Sequence, residues 1–145
     1  MDEYVEYYKS LIRFSVKIVH VFNDYWREIL EEYGINQTEF LFLGVVMDNP
    51  GITQQEIVRH TGADKSIVSR NLKRLEKKKI VCRKPNKEYN HGYYCEPTEL
   101  GKEIYCKIHE IGDPIIEETF SVATREEIEQ ARDTLMKIWG HMYEM

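Results

Sequence analysis

Ten Lys and Arg side chains and a single Glu fall between Lys65 and Lys87, in a chain whose formal net charge is −5. The flanks are acidic: residues 1–64 hold 5 basic against 11 acidic side chains, and residues 88–145 hold 5 against 13. Positive charge gathered on one short stretch of an acidic chain is a place to meet a polyanion. Helical spacing over 65–78 divides that stretch into two faces. Val68, Leu72 and Leu75 form an inward row at spacings of four and three, and Lys65, Ser66, Ser69, Arg70 and Lys73 face outward.

Residues 53–78 read as two helices joined by Thr61-Gly62-Ala63-Asp64, the spacing of a helix-turn-helix. The second helix of such a pair enters the DNA major groove, which is about 12 Å wide. Lys65, Ser66, Ser69 and Arg70 would then approach base edges, and Lys73 and Arg74 would reach phosphates. Ile80–Lys84 and Tyr93–Glu96 are short β-prone segments separated by a polar, turn-rich stretch, so they predict a hairpin. As a wing it would bring Arg83, Lys84 and Lys87 to a flanking DNA backbone. Lys77, Lys78 and Lys79 read equally well as a solvated helix end.

These residues need a scaffold. Residues 4–32 contain neither Gly nor Pro and are apolar on more than one face, which predicts a long helix buried on two sides and ended by Tyr33-Gly34. Capping boxes at Asn36…Glu39, Thr53…Glu56 and Thr124…Glu127 predict helices through about Met47, Thr61 and His141. Asp64 is placed to cap the 65–78 helix. Thr98 starts a further helix that Asp113-Pro114 is expected to interrupt. The order is α-α-α-α-β-β-α-α, with a short strand near Ile52 able to complete the hairpin's sheet.

The chain's 145 residues, 42% hydrophobic and 31% charged, suit one domain with an added dimerisation part. No apolar run approaches the roughly 18–20 residues of a membrane span, and the N-terminus lacks a signal-peptide pattern. Three cysteines without a CxxC argue against a disulfide framework, so a reducing cytoplasm is expected. The surplus apolar surface of residues 4–30 and of Ile128, Ala131, Leu135, Ile138, Trp139 and Met142 predicts self-association. His20, Tyr25, Trp26 and Phe40 are candidates for a cleft taking an aromatic or amphipathic effector, with plain dimer core as the alternative. Cys82 and Cys95 could face one another across the hairpin, or be small strand residues; Cys106 lies in the next helix. The histidines show no close metal-ligand spacing. No phosphate loop, HExxH or GxSxG is present, so neither a catalytic residue nor a cofactor is expected.

Asn36–Gly101 resembles the winged helix-turn-helix of MarR-type transcriptional regulators. The matching pieces are Asn36-Gln-Thr-Glu-Phe40, Pro50-Gly-Ile-Thr-Gln-Gln-Glu-Ile57, Asp64-Lys-Ser-Ile-Val-Ser-Arg70, Leu75-Glu-Lys-Lys78 and Thr98-Glu-Leu-Gly101. The resemblance implies a mainly α fold with a small β-hairpin wing: an N-terminal dimerisation helix (1–34), a DNA-binding domain (35–98) and C-terminal dimerisation helices (99–145). It implies a homodimeric repressor of a pseudo-palindromic operator in double-stranded DNA, released by a small molecule. Thr53 and Gln54, opening the first helix of the pair, join the DNA-facing set. Two positions depart from the family. Its wing-tip Asp-x-Arg is Tyr89-Asn90-His91 here, which leaves either His91 or Lys87 to contact phosphate or a wing that contributes little. The glycine common after the recognition helix is Lys79. The rivals are a metal- or redox-sensing regulator of the same fold, and a winged helix used as a protein-interaction module.

Overall fold

The computed structural model describes residues 3–88 and 92–144. Its order is α1 (Glu3–Glu32), α2 (Gln37–Asp48), β1 (Ile52–Thr53), α3 (Gln54–Thr61), α4 (Lys65–Lys77), β2 (Val81–Pro85), β3 (Tyr93–Pro97), α5 (Glu99–Phe120) and α6 (Arg125–Glu144). It is a mainly helical winged helix with one small antiparallel sheet of strand order β1-β3-β2. Ile52 pairs with Cys95, so the short first strand does complete the hairpin's sheet. Among the described residues no helix is long and apolar enough to cross a membrane.

The capping signals hold at atomic detail. Asn36 Oδ1 accepts from the Glu39 N–H, and Glu39 Oε2 accepts from the Asn36 N–H. Thr53 with Glu56 and Thr124 with Glu127 repeat the reciprocal pattern. Hydrogen bonds from the backbone and side chain of Thr53 lower the pKa of Glu56, and those of Thr124 do the same for Glu127. A depressed carboxylate stabilises the fold above the ordinary glutamate value of 4.5 and loses that contribution as pH falls through its lowered value. Asp64 departs from this pattern: it occupies the N-cap position of α4, but its side chain makes no capping hydrogen bond.

Two backbone expectations change. Asp113-Pro114 does not interrupt α5, which runs unbroken with Pro114 inside it. An internal proline removes one backbone donor and strains the carbonyl four residues earlier, which weakens a helix without necessarily ending it. The turn after α4 closes on Lys79 itself, which adopts φ 60. Its N–H donates to the Glu76 carbonyl and that of Ile80 to the Leu75 carbonyl, so both of these helix-end carbonyls are satisfied. Because a side chain in this left-handed region is strained, Lys79→Gly should stabilise the protein by about 0.5–1 kcal/mol. A raised midpoint in denaturant unfolding at unchanged slope checks this.

Two units are distinguishable, Met1–Glu110 and Ile111–Met145. In the first, Phe42, Leu43, Val46, Ile57, Val68, Leu72, Leu75, Val81, Cys95 and Ile108 form a core from which water is excluded. Each large member contributes on the order of 1.5–3 kcal/mol by leaving water. Most of α1 stays outside that core: Tyr8, Leu11, Ile12 and Phe14 are exposed. In the second unit, Leu135, Met136, Ile138, Trp139 and Met142 of α6 are likewise exposed.

Candidate nucleic-acid interface

The turn Thr61–Asp64 sets α3 against α4. Gly62 caps α3 with φ 65, a conformation that a Cβ would strain, and its N–H donates to the Val58 carbonyl. Thr61 Oγ1 donates to the Ile57 carbonyl (2.7 Å) and accepts from the Ala63 N–H (3.3 Å). Helix α4 then divides as its spacing predicts. Val68, Leu72 and Leu75 are fully buried, and Asn71 beside them donates through Nδ2 to the Ile67 carbonyl at 2.8 Å. Lys65, Ser66, Arg70, Lys73, Arg74 and Lys77 are exposed, and Ser69 is half-buried among them.

The ten cations of this stretch fall into two groups. Lys65, Arg70, Lys73, Arg74, Lys77, Lys79 and Lys87 enter no ion pair among the described residues. The other three are engaged. Lys78 Nζ lies 2.8 Å from Glu39 Oε2 and 2.7 Å from the Gly34 carbonyl. Arg83 grips Glu76, and Lys84 Nζ meets Glu96 Oε2 at 2.7 Å. The bare cations therefore concentrate on α4. Lys78 belongs to the scaffold, because Glu39 is 1% exposed and a buried carboxylate requires a partner.

Lys65 sits in the first turn of α4, which holds no acidic residue of its own after the N-cap Asp64. A helix N-terminus carries partial positive charge, so a cation there destabilises the fold and strengthens the attraction for an anion. Lys65→Glu should therefore raise stability by about 0.3–1 kcal/mol, readable in thermal unfolding. The position suits an external anion better than it suits the helix.

The remaining candidates are more scattered. Thr53 and Gln54 are half-buried at the start of α3, with the Thr53 hydroxyl engaged by Glu56. Lys87 is exposed beyond β2, and His91 lies outside the described residues. The effector candidates lie in different surroundings. His20 lines an open groove of about 500 Å³ with Asn23, Arg27, Glu31, Ile35 and Thr38 among its other walls. Trp26 and Phe40 instead stack at 5.6 Å, and Phe40 continues into Tyr105 and His109 at 5.6 and 5.8 Å. Tyr25 is exposed. Sequence reasoning missed Tyr105 and His109, whose one-turn spacing on α5 was the available signal.

Cys82 and Cys95 do not face each other, which leaves the reading of both as small strand residues. Cys82 pairs in register with Glu96 and Cys95 with Arg83, so the two thiols project from opposite faces of the hairpin. Burial pushes the Cys95 thiol up to about 11, which leaves it protonated and unreactive at neutral pH.

Comparison with known proteins matches this geometry. Residues 33–88 fit the sequence profile of the MarR family. The uncharacterized HTH-type transcriptional regulator YybA of Bacillus subtilis is 25% identical over 108 residues, 74% of this chain and 72% of that protein. A MarR protein from Peptoclostridium difficile superimposes with a TM-score of 0.82 at 26% identity, covering 91% of this chain and 86% of that one. A MarR family regulator from Listeria monocytogenes, complexed with a 26mer DNA, shares the fold with a TM-score of 0.83 at 24% identity, covering 92% of this chain and 89% of that one. With the helix-turn-helix at 54–77, the three-stranded wing and the flanking helices in one chain, the protein has the winged-helix fold of MarR family regulators and resembles that family in sequence over residues 33–88.

Proposed function

We propose that the protein is a homodimeric repressor that reads a pseudo-palindromic operator with α4 and is released by a small effector. The observation that carries this is the row of cations on the outward face of α4 that enter no ion pair among the described residues, in an otherwise acidic chain. Lys65, Ser66, Ser69 and Arg70 contact base edges. Lys73, Arg74, Lys84 and Lys87 contact phosphates, and Thr53 and Gln54 approach the backbone from the start of α3. The exposed apolar residues of α1 and α6 bury against a second copy, setting residues 1–34 and 99–145 apart as dimerisation segments around the DNA-binding residues 35–98. Two recognition helices then lie about 34 Å apart, one turn of DNA.

The groove beside His20 is the seat for the effector, and Asn36 connects it to the interface. Asn36 lines the groove and is also held by Glu39, whose carboxylate anchors Lys78 at the end of α4. An effector that disturbs Asn36 thereby disturbs the recognition helix.

Titration onto duplex DNA at several salt concentrations tests the DNA-binding reading. Affinity should fall steeply as salt rises, with about 0.9 of logarithmic slope for each phosphate neutralised. Absence of binding, or binding that ignores salt, contradicts it.

A further inference from the structure

We propose that Arg83 is a positioning residue that fixes the wing hairpin against the recognition helix through Glu76, and is not a contact to DNA phosphate. This rests on the DNA-binding reading above and takes Arg83 out of the set of wing cations that the sequence assigns to the DNA backbone. Arg83 pairs in register with Cys95, and Pro85 with Tyr93. Side chains alternate along a strand, so Arg83 and Tyr93 share the hairpin face on which Cys95 is completely buried. Lys84 projects from the opposite face and reaches Glu96 there.

On the inner face the guanidinium is held from two sides. Its Nε and Nη2 both donate to Glu76 Oε2, at 2.8 and 2.5 Å, and its Cζ lies 5.1 Å from the centre of the Tyr93 ring. The Arg83 side chain is 13% exposed, and Glu76 is 40% exposed. Glu76 is the one acidic residue of α4, lying between the reading half of the helix and its end. A cation reaching for phosphate from the wing would have to abandon a charge-assisted pair and an aromatic face, and leave a carboxylate bare beside the DNA. Kept in place, it fixes the angle at which the wing leaves α4 and neutralises that carboxylate.

Arg83→Ala, Arg83→Lys and Glu76→Gln separate the two roles in salt-dependent DNA titrations. As a positioning residue, Arg83 makes all three variants lose about five- to tenfold in affinity at an unchanged salt slope. Lysine fails because it lacks the planar fork. As a phosphate contact, Arg83→Ala lowers the slope by about 0.9 per subunit, Arg83→Lys stays near wild type, and Glu76→Gln binds tighter. That pattern overturns the proposal. Combining Glu76→Arg with Arg83→Glu should recover part of the lost affinity. A comparable fall in thermal midpoint for Arg83→Lys, accounting for the loss by unfolding, also counts against it. Hydrogen exchange without DNA keeps the two readings distinguishable. Amides of β2 and β3 should exchange faster in Arg83→Lys and Glu76→Gln, and unchanged exchange overturns the strut even if the protein binds no DNA.

Discussion

Removing Arg70 and Lys73 together, as Arg70→Ala with Lys73→Ala, should weaken DNA binding about a hundredfold while leaving the fold intact. Both side chains are exposed, and neither enters an ion pair among the described residues. Alanine is a better helix former than either, so α4 itself loses nothing. Opposite them, Val68, Leu72 and Leu75 keep α4 seated in the core. The loss should divide by role. Arg70, near the start of the helix, should relax sequence preference; Lys73, further along, should lower the salt slope by about one unit per contact. Gel-shift titration of single and double variants, with circular dichroism confirming helicity, reads both effects.

Gly101→Ala should be among the most destabilising single substitutions in the chain, by about 2–4 kcal/mol. A Cβ on Gly101 would collide with the Ile80 carbonyl oxygen, a backbone atom that cannot swing aside. That carbonyl already accepts the Thr98 N–H at 3.0 Å, and the Thr98 hydroxyl lies 2.6 Å from the Lys79 carbonyl. The Gly101 N–H closes the cluster by donating to Thr98 Oγ1 at 3.0 Å. The start of α5 is thus bolted to the turn that ends α4, and an added methyl forces the two apart. A melting temperature lower by about 10 °C is the expected reading. An unchanged melt would mean the backbone shifts more freely than this packing implies.

What could be read without the structure follows from the range of each interaction. Capping boxes involve residues three apart, so α2, α3 and α6 announced themselves. The inward row of α4 followed from periodicity alone. Proline at 114 misled because the local rule records the lost hydrogen bond and not the turns on either side that hold α5 together. Lys79 looked out of place because glycine is the easy occupant of a left-handed turn, yet backbone bonds and Thr98 hold a lysine there. The basic stretch was legible as charge, but the division of its members was not. Lys78 finds Glu39 across 39 positions and Arg83 finds Glu76 across seven, and only the fold brings those carboxylates near. The surroundings of the effector candidates were hidden for the same reason: Trp26 and Phe40 turn toward Tyr105 and His109, and His20 lines a groove with Asn23 and Asn36.

Selection of bound fragments from random duplex DNA tests the central claim most directly. A dimer reading DNA with two copies of α4 should enrich a two-fold-symmetric site whose half-sites lie about 10 base pairs apart, and the Arg70→Ala, Lys73→Ala protein should fail to enrich it. Enrichment of no sequence, or of the same site by that variant, would contradict recognition by this helix.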